Sequence, residues 1–369
     1  MKLLHEQVIG GIVIAIMVII GLLMSDDPEL PQLLHRPIFT RNGPRQSSSV
    51  TVSKLSWSQN GDVLNCMSRG AINAMHSMTA HNLANAEGTV PAWSGIFAGA
   101  IVHTSYAADG SHAAVISDSG GLWSIDLAKP MHREIDVPMD DRYDYTAVSH
   151  NGELIAASKT CGEVLMANSA DRIMKPLPCD SPHPVSDLRF SKDGRRLLCS
   201  RTDGAIHVWD SKTCNLMFEM RGAGSKRAVA AFLPEDQIIG CTGNSIEVWD
   251  LESGQIRWRG GQDCIGPCGL ATMDSAADGS IAAWGPALSH RIVVWDIEFQ
   301  QKKFEIDNPS VVLQVKFSPD GSKLAVAGRE RIVRIYDMTT GREIARIDVQ
   351  RTLEVESQTE PVNRYSDSG

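Results

Sequence analysis

Asp203-Gly204-Ala205-Ile206-His207-Val208-Trp209-Asp210 is a tight turn followed by a short apolar strand that ends on an aromatic and a carboxylate. Upstream, Phe190-Ser191-Lys192-Asp193-Gly194 is a turn signal, flanked by apolar strands over 185–190 and 196–200. The segment is therefore a meander of short strands.

The unit recurs. With Asp210 as the anchor, the equivalent positions are His76, Asp126, Asn168, Asp210, Asp250, Asp296 and Asp337, at spacings of 50, 42, 42, 40, 46 and 41. A period near 40–50 residues is the mark of a propeller or solenoid. The preceding residues are Met75, Ile125, Ala167, Trp209, Trp249, Trp295 and Tyr336, and a turn glycine recurs as Gly61, Gly110, Gly152, Gly194, Gly279 and Gly321. The fifth unit has Leu233-Pro234-Glu235-Asp236 in its place. Glycine suits such turns because it accepts a positive φ without a steric penalty. In the last unit, Val311, Leu313, Val315 and Phe317 fall on one face of a strand, with Gln314 and Lys316 on the other.

This pattern resembles the WD40 repeat. The resemblance covers residues 50 to about 349 and implies an all-β, seven-bladed β-propeller with four antiparallel strands per blade. Trp209, Asp210, Trp249, Asp250, Trp295, Asp296, Tyr336 and Asp337 are its structural repeat positions. It also implies an Asp-His-Ser-Trp hydrogen-bond network, for which only the fourth unit has the residues: Asp203, His183, Ser200 and Trp209. The first unit departs from the pattern, with Met75-His76 at the Trp-Asp position and an insertion between Ser77 and Ala100. Ring closure stays open: residues 342–347 supply a fourth strand to the last blade, while residues 37–40 or 352–355 are candidates to seal an edge.

Outside the repeats, residues 1–7 are a flank and 8–24 are seventeen residues without a charge. As a helix those seventeen residues rise about 25 Å, the short end of what spans a bilayer. The segment reads as a transmembrane helix and the protein as a single-pass membrane protein in contact with the lipid bilayer. A cleaved leader is the competing reading, but Leu22-Leu23-Met24-Ser25 offers a poor cleavage site. Lys2 on one side and Arg36, Arg41 and Arg45 on the other give conflicting orientation signals, so the side of the propeller stays open. Residues 25–49, rich in Pro, Gly and Ser, read as a flexible stalk, and 350–369 as a polar tail.

A net charge of −9 argues against nucleic acid as partner, since that needs clustered cations. Eight cysteines are too few for a disulfide scaffold. Cys66, Cys199 and Cys241 each lie nine residues after a first-strand aromatic and read as core packing. Cys264 and Cys268 are placed to bridge if the domain lies in an oxidising compartment.

The chain shows no nucleophile elbow, P-loop, dinucleotide-binding glycine pattern or metal signature, so no catalytic, cofactor or metal residue is assigned. The reading is a non-catalytic scaffold for protein–protein interaction. Such propellers bind through the loops joining strand four to the next blade and strand two to strand three. Here those loops present Arg142, Tyr143, Tyr145, His183, Arg201, Asp203, His290 and Arg329 as candidate partner-binding residues. The alternative is a propeller enzyme of the quinoprotein, quinone-dependent dehydrogenase-like type or another small-molecule-binding type: Asp250 to Trp258 resembles the tryptophan-docking motif of quinoprotein propellers, but it occurs once.

Overall fold

The computed structural model describes residues 50–57, 61–70, 76–82, 91–97, 101–107, 111–117, 121–126, 131–135, 142–170, 173–179, 181, 183–220, 227–242, 245–260 and 270–349. Residues 8–24, the stalk, the tail, Gly110, Cys264 and Cys268 lie outside them. Among the described residues no helix is long and apolar enough to cross a membrane.

The described strands form seven four-stranded antiparallel sheets in chain order, giving an all-β propeller. The seven first strands are Val50–Trp57, Ile101–Tyr106, Tyr143–Val148, Val185–Phe190, Val229–Leu233, Leu270–Ser275 and Val312–Phe317. They line the centre. Outer strands are five to seven residues long except in the third sheet, where the outer strand is only Lys175–Pro176.

Between neighbouring sheets the core is apolar on both faces. One cluster joins Val229, Ile239 and Val248 of the fifth sheet to Met273, Trp284 and Trp295 of the sixth. Another joins Ile281, Ile292 and Val294 of the sixth to Val315, Phe317 and Tyr336 of the seventh. Trp209 and Trp249 are fully buried, and Tyr336 is nearly so. Each aromatic thus fills space beside its neighbour, and burial of this kind carries most of the stability of stacked repeats.

The first and last sheets meet face to face. Leu55, Trp57, Leu64 and Cys66 pack with Ala325, Val333, Ile335 and Ile347. Leu55 N donates to Gln314 Oε1 at 2.7 Å and Trp57 Nε1 to Lys316 O at 3.0 Å. The last sheet has its own fourth strand, Glu343–Asp348, and the first sheet is built from consecutive strands of residues 50–97, so neither exchanges a strand among the described residues. The segments 37–40 and 352–355 are not described.

The register corrects two expectations. In the first unit the third strand is His76–Asn82, so His76 begins it rather than ends it. Leu64 pairs with His81 and Val63 with Asn82, as Leu197 pairs with Trp209 and Arg196 with Asp210. His81-Asn82 therefore stands at the Trp-Asp position. A register shift between Ala80 and His81 matches the one between Val208 and Trp209. The extra length lies mostly in the paired strands, which run eight and seven residues, Val63–Gly70 and His76–Asn82, against six and five in Arg196–Arg201 and Ile206–Asp210. In the fifth unit, Phe232 pairs with Ile238, whereas Phe190 pairs with Leu197, so its first turn is one residue shorter. Counting nine from Phe232 overshoots: Cys241 occupies the position of Ser200, and Gly240 that of Cys199. Cys66, Cys199 and Cys241 are all buried, and burial pushes the Cys199 thiol up to about 12.

Candidate functional site: the channel waist and the rim

Six of the seven first strands carry a β-bulge near their start, between Val52 and Lys54, Ile101 and His103, Tyr143 and Tyr145, Val185 and Asp187, Leu270 and Thr272, and Val312 and Gln314. A bulge breaks strict alternation and re-aims the residue after it. The residues re-aimed are Lys54, His103, Tyr145, Asp187, Thr272 and Gln314. Apart from Tyr145, all of these line both a cavity of about 890 Å³ and a second of about 330 Å³ at the centre, and so mark the waist between them.

Three of these side chains satisfy the edge of the next first strand. His103 Nδ1 accepts from Thr146 N at 3.2 Å, Thr272 Oγ1 from Val315 N at 3.2 Å, and Gln314 Oε1 from Leu55 N at 2.7 Å. Unpaired strand edges are costly when buried, and these acceptors close them. An ammonium cannot accept a hydrogen bond. Lys54, at the same position, makes no hydrogen bond or ion pair among the described residues. Burial, with Arg189, Arg227 and Lys316 nearby, pushes its amine down to about 8 against the pull of Asp187.

The other charges of the waist are matched. Arg189 Nε donates to Asp187 Oδ2 at 2.8 Å, and Arg189 Nη1 reaches Asp274 Oδ1 at 3.4 Å. Lys316 Nζ lies 2.9 Å from Asp274 Oδ1, and Phe317 N donates to Asp274 Oδ2 at 2.9 Å. Burial pushes the Asp187 carboxyl up, but the Arg189 and Lys54 charges outweigh it and hold it below its ordinary range. Arg227, exposed at the narrow end, donates to Ser186 O at 2.5 Å. His103 is buried, and burial together with Lys54 holds its ring well below its usual pKa. Because Nδ1 accepts a backbone N–H, the neutral ring carries its proton on Nε2, which is buried with no hydrogen-bond partner.

The rim candidates sort differently. Tyr143 is 2% exposed, inside the core shared by the second and third sheets, and Arg201 is 0% exposed. Neither is a surface contact. Arg201 instead clasps the third and fourth sheets: its guanidinium donates to Gly162 O at 2.8 Å, His183 O at 2.7 Å, Cys179 Sγ at 3.2 Å and His207 Nδ1 at 3.2 Å. Tyr145 faces the narrow end, its ring 4.8 Å from that of His103. Arg142 and His183 are exposed, and Asp203 is half-buried with His183 Nε2 3.6 Å from its Oδ2. His290 and Arg329 are exposed about the connection from the sixth sheet to the seventh, where Asn308 N donates to His290 O at 2.8 Å and Arg329 N to Val311 O at 3.1 Å. Leu288 beside them is 65% exposed.

The four-residue network of the fourth unit does not assemble. Trp209 Nε1 donates to Pro178 O at 2.9 Å, and Ser200 Oγ has no partner among the described residues. Arg201 has taken the centre of that corner.

The motif at Asp250 is a turn. Asp250 Oδ1 accepts from Ser253 N and Ser253 Oγ, each at 2.7 Å, and the same bonds join Asp210 to Thr213 and Asp337 to Thr340. Trp258 packs on Trp295 of the next sheet with ring centroids 5.5 Å apart.

The waist went unread in the sequence, although a signal was there. Aligned on the residue that ends each first strand's channel face, the position three before it reads Lys54, His103, Tyr145, Asp187, Val229, Thr272 and Gln314. Apart from Val229 it is a column of polar residues in which no residue type repeats.

A family model described as WD domain, G-beta repeat matches residues 174–210 and 300–337. The chain carries WD40 repeats. WD repeat-containing protein 1 of Xenopus tropicalis is 23% identical over 199 residues, which are 50% of this chain and 31% of that protein. Jouberin of Rattus norvegicus is 25% identical over 215 residues, 52% of this chain and 20% of that protein. The transcriptional corepressor LEUNIG_HOMOLOG of Arabidopsis thaliana is 22% identical over 199 residues, 52% of this chain and 24% of that protein. The chain spans less than a third of the length of each of these relatives.

Proposed function

We propose that this WD40-repeat propeller is a non-catalytic docking platform, its seven sheets closed into one ring, that holds a protein partner on the face where the narrow end of the channel opens. The apolar segment 8–24 would tether it to a membrane. The observation that carries the docking reading is the division of exposed rim residues into two patches on a rigid backbone. Arg142 and His183 stand over the Arg201 clasp, and Leu288, His290 and Arg329 stand about the connection from the sixth sheet to the seventh. Arginine beside an exposed apolar side chain on a fixed frame suits a binding hot spot, because little entropy is lost on contact.

The test is site-specific photo-crosslinking in native membranes, with the crosslinker at Arg142 or at His290 and a control at exposed Phe299 on the opposite face. The expected result is one partner band from both rim positions and none from Phe299. Replacing Arg142, His183 and Arg329 by Ala should weaken the band at least tenfold, about 1.4 kcal/mol, without changing the unfolding temperature. Equal crosslinking from all three positions would remove the docking face.

A further inference from the structure

We propose that the waist of the channel is a binding site for a small dianion, a phosphate monoester or a dicarboxylate, held by the Lys54 ammonium, the His103 Nε2–H and the Arg227 guanidinium. The inference is independent of the docking reading.

The charge arithmetic comes first. Lys54, Arg189, Arg227 and Lys316 share the two carboxylates Asp187 and Asp274, an excess of two positive charges before Asp144, beside Tyr145, is counted, in a chain whose net charge is −9. Arg227 keeps contact with water, but Lys54 is half-buried, and desolvating a cation is costly unless an opposite charge faces it. Lys54 also stands where His103, Thr272 and Gln314 serve the neighbouring strand, a task its ammonium cannot perform. It is therefore no part of the ring's own edge chemistry.

His103 is the second, separate observation. Its Nδ1 is committed to Thr146 N, while its Nε2–H is buried without a partner among the described residues, in a residue that lines the waist. A buried donor left unsatisfied costs about 1–3 kcal/mol, which an incoming oxyanion would recover. Tyr145 walls the ring on one side, and Asp144 is the further carboxylate next to that tyrosine.

The two ends of the channel differ in sign. The wide cavity is bordered by Asp193, Glu235, Asp236 and Asp320, against Lys192 and Arg196. Arg227 borders only the narrow cavity, of about 330 Å³, and is exposed. An anion would thus enter from the narrow end, and a cavity of that size suits a small molecule.

The ligand should also be felt by Lys54. Its amine, held down near 8 by burial and by Arg189, Arg227 and Lys316, would rise when two negative charges arrive, so binding near pH 8 takes up a proton.

The experiment is calorimetric titration of the full chain in detergent micelles with inorganic phosphate and, separately, succinate, at constant ionic strength. Each is run at pH 8 in two buffers of different ionisation enthalpy, with chloride as the control. Saturable binding of at least one dianion, with proton uptake and no response to chloride, is expected. Lys54→Gln and Arg227→Gln should each weaken it at least tenfold, with the uptake lost in Lys54→Gln, while Glu235→Gln at the wide mouth should bind as the parent does. Phosphate separated from succinate by tenfold or more would name the headgroup. No saturable binding of either dianion, or parent-like affinity in Lys54→Gln, would overturn the proposal. Neither waist variant is expected to unfold, since each removes one cation of the waist's positive excess, and unfolding temperatures verify this.

Discussion

The seams between sheets and the waist of the channel are built from the same strands and follow opposite rules. At a seam, equivalent positions carry equivalent chemistry: Trp209 and Trp249 are buried against the preceding sheet, and Trp295 and Tyr336 stand at the same register. At the waist, equivalent positions carry lysine, histidine, tyrosine, aspartate, threonine and glutamine. Repetition serves packing, because each seam poses the same problem of shape. A central axis is met once, so the residues around it can specialise, and the six bulges turn them there without disturbing the seams.

The comparison is sharpest where a seam aromatic is removed. Trp249→Ala should cost about 3–5 kcal/mol in urea unfolding, since it empties a site with no exposure and no room to collapse. A loss under about 1 kcal/mol would mean that the seams are not what holds the ring. Arg201→Met comes next, at about 2–4 kcal/mol, because Gly162 O and His183 O lose a charged donor inside the protein. If that variant instead keeps its stability and loses partner crosslinking, Arg201 belongs to the rim.

At the waist the sign reverses. The ordinary lysine value of 10.5 falls to about 8 in the folded chain, so the neutral amine is favoured there. The penalty for holding Lys54 charged is fully present below pH 8 and disappears as pH rises through 10.5. In that window the unfolded chain binds the extra proton, and stability rises with pH. Lys54→Met should therefore stabilise the protein at pH 7, by on the order of 1–2 kcal/mol once channel water is allowed for, and the gain should vanish above pH 10.5. Urea midpoints at the two pH values measure it. A loss at pH 7 would show that Lys54 supports the fold.

What the sequence disclosed divides along the same line. The carboxylate and aromatic columns of the last four units, the turn glycines and the buried thiols follow from period and composition. In the first unit the anchor lies six residues past the expected His76, at Asn82, because its Trp-Asp position holds His81-Asn82 and its second and third strands are each two residues longer than those of the fourth unit. Tyr143 and Arg201 were read as surface because polar residues near strand ends are usually solvated; buried partners, invisible in one dimension, decide otherwise. The waist was hidden by its bulges, since a strand that breaks alternation places Lys54 and Asp187 where strict period two does not.

The smallest effect tests whether one missing glycine matters. Gly61, Gly152, Gly194, Gly279 and Gly321 hold φ between 71° and 73°, and in the fifth unit Glu235 and Asp236 take φ of 56° and 57°. The backbone thus enters the left-handed region without the residue suited to it. Asp236 is held by its ion pair to Arg196 at 2.6 Å, whereas Glu235 is exposed. Left-handed residues with a Cβ cost roughly 1–2 kcal/mol, and glycine's extra unfolded-state entropy returns about half of that. Glu235→Gly should therefore stabilise by about 0.5 kcal/mol, and Gly194→Ala should destabilise by about 1 kcal/mol. Opposite signs in paired urea titrations would show that the turn geometry is imposed by the sheet and only tolerated by the fifth unit's residues. Two losses would instead show that Glu235 itself holds the turn, and that the fifth unit solved the same reversal by different chemistry.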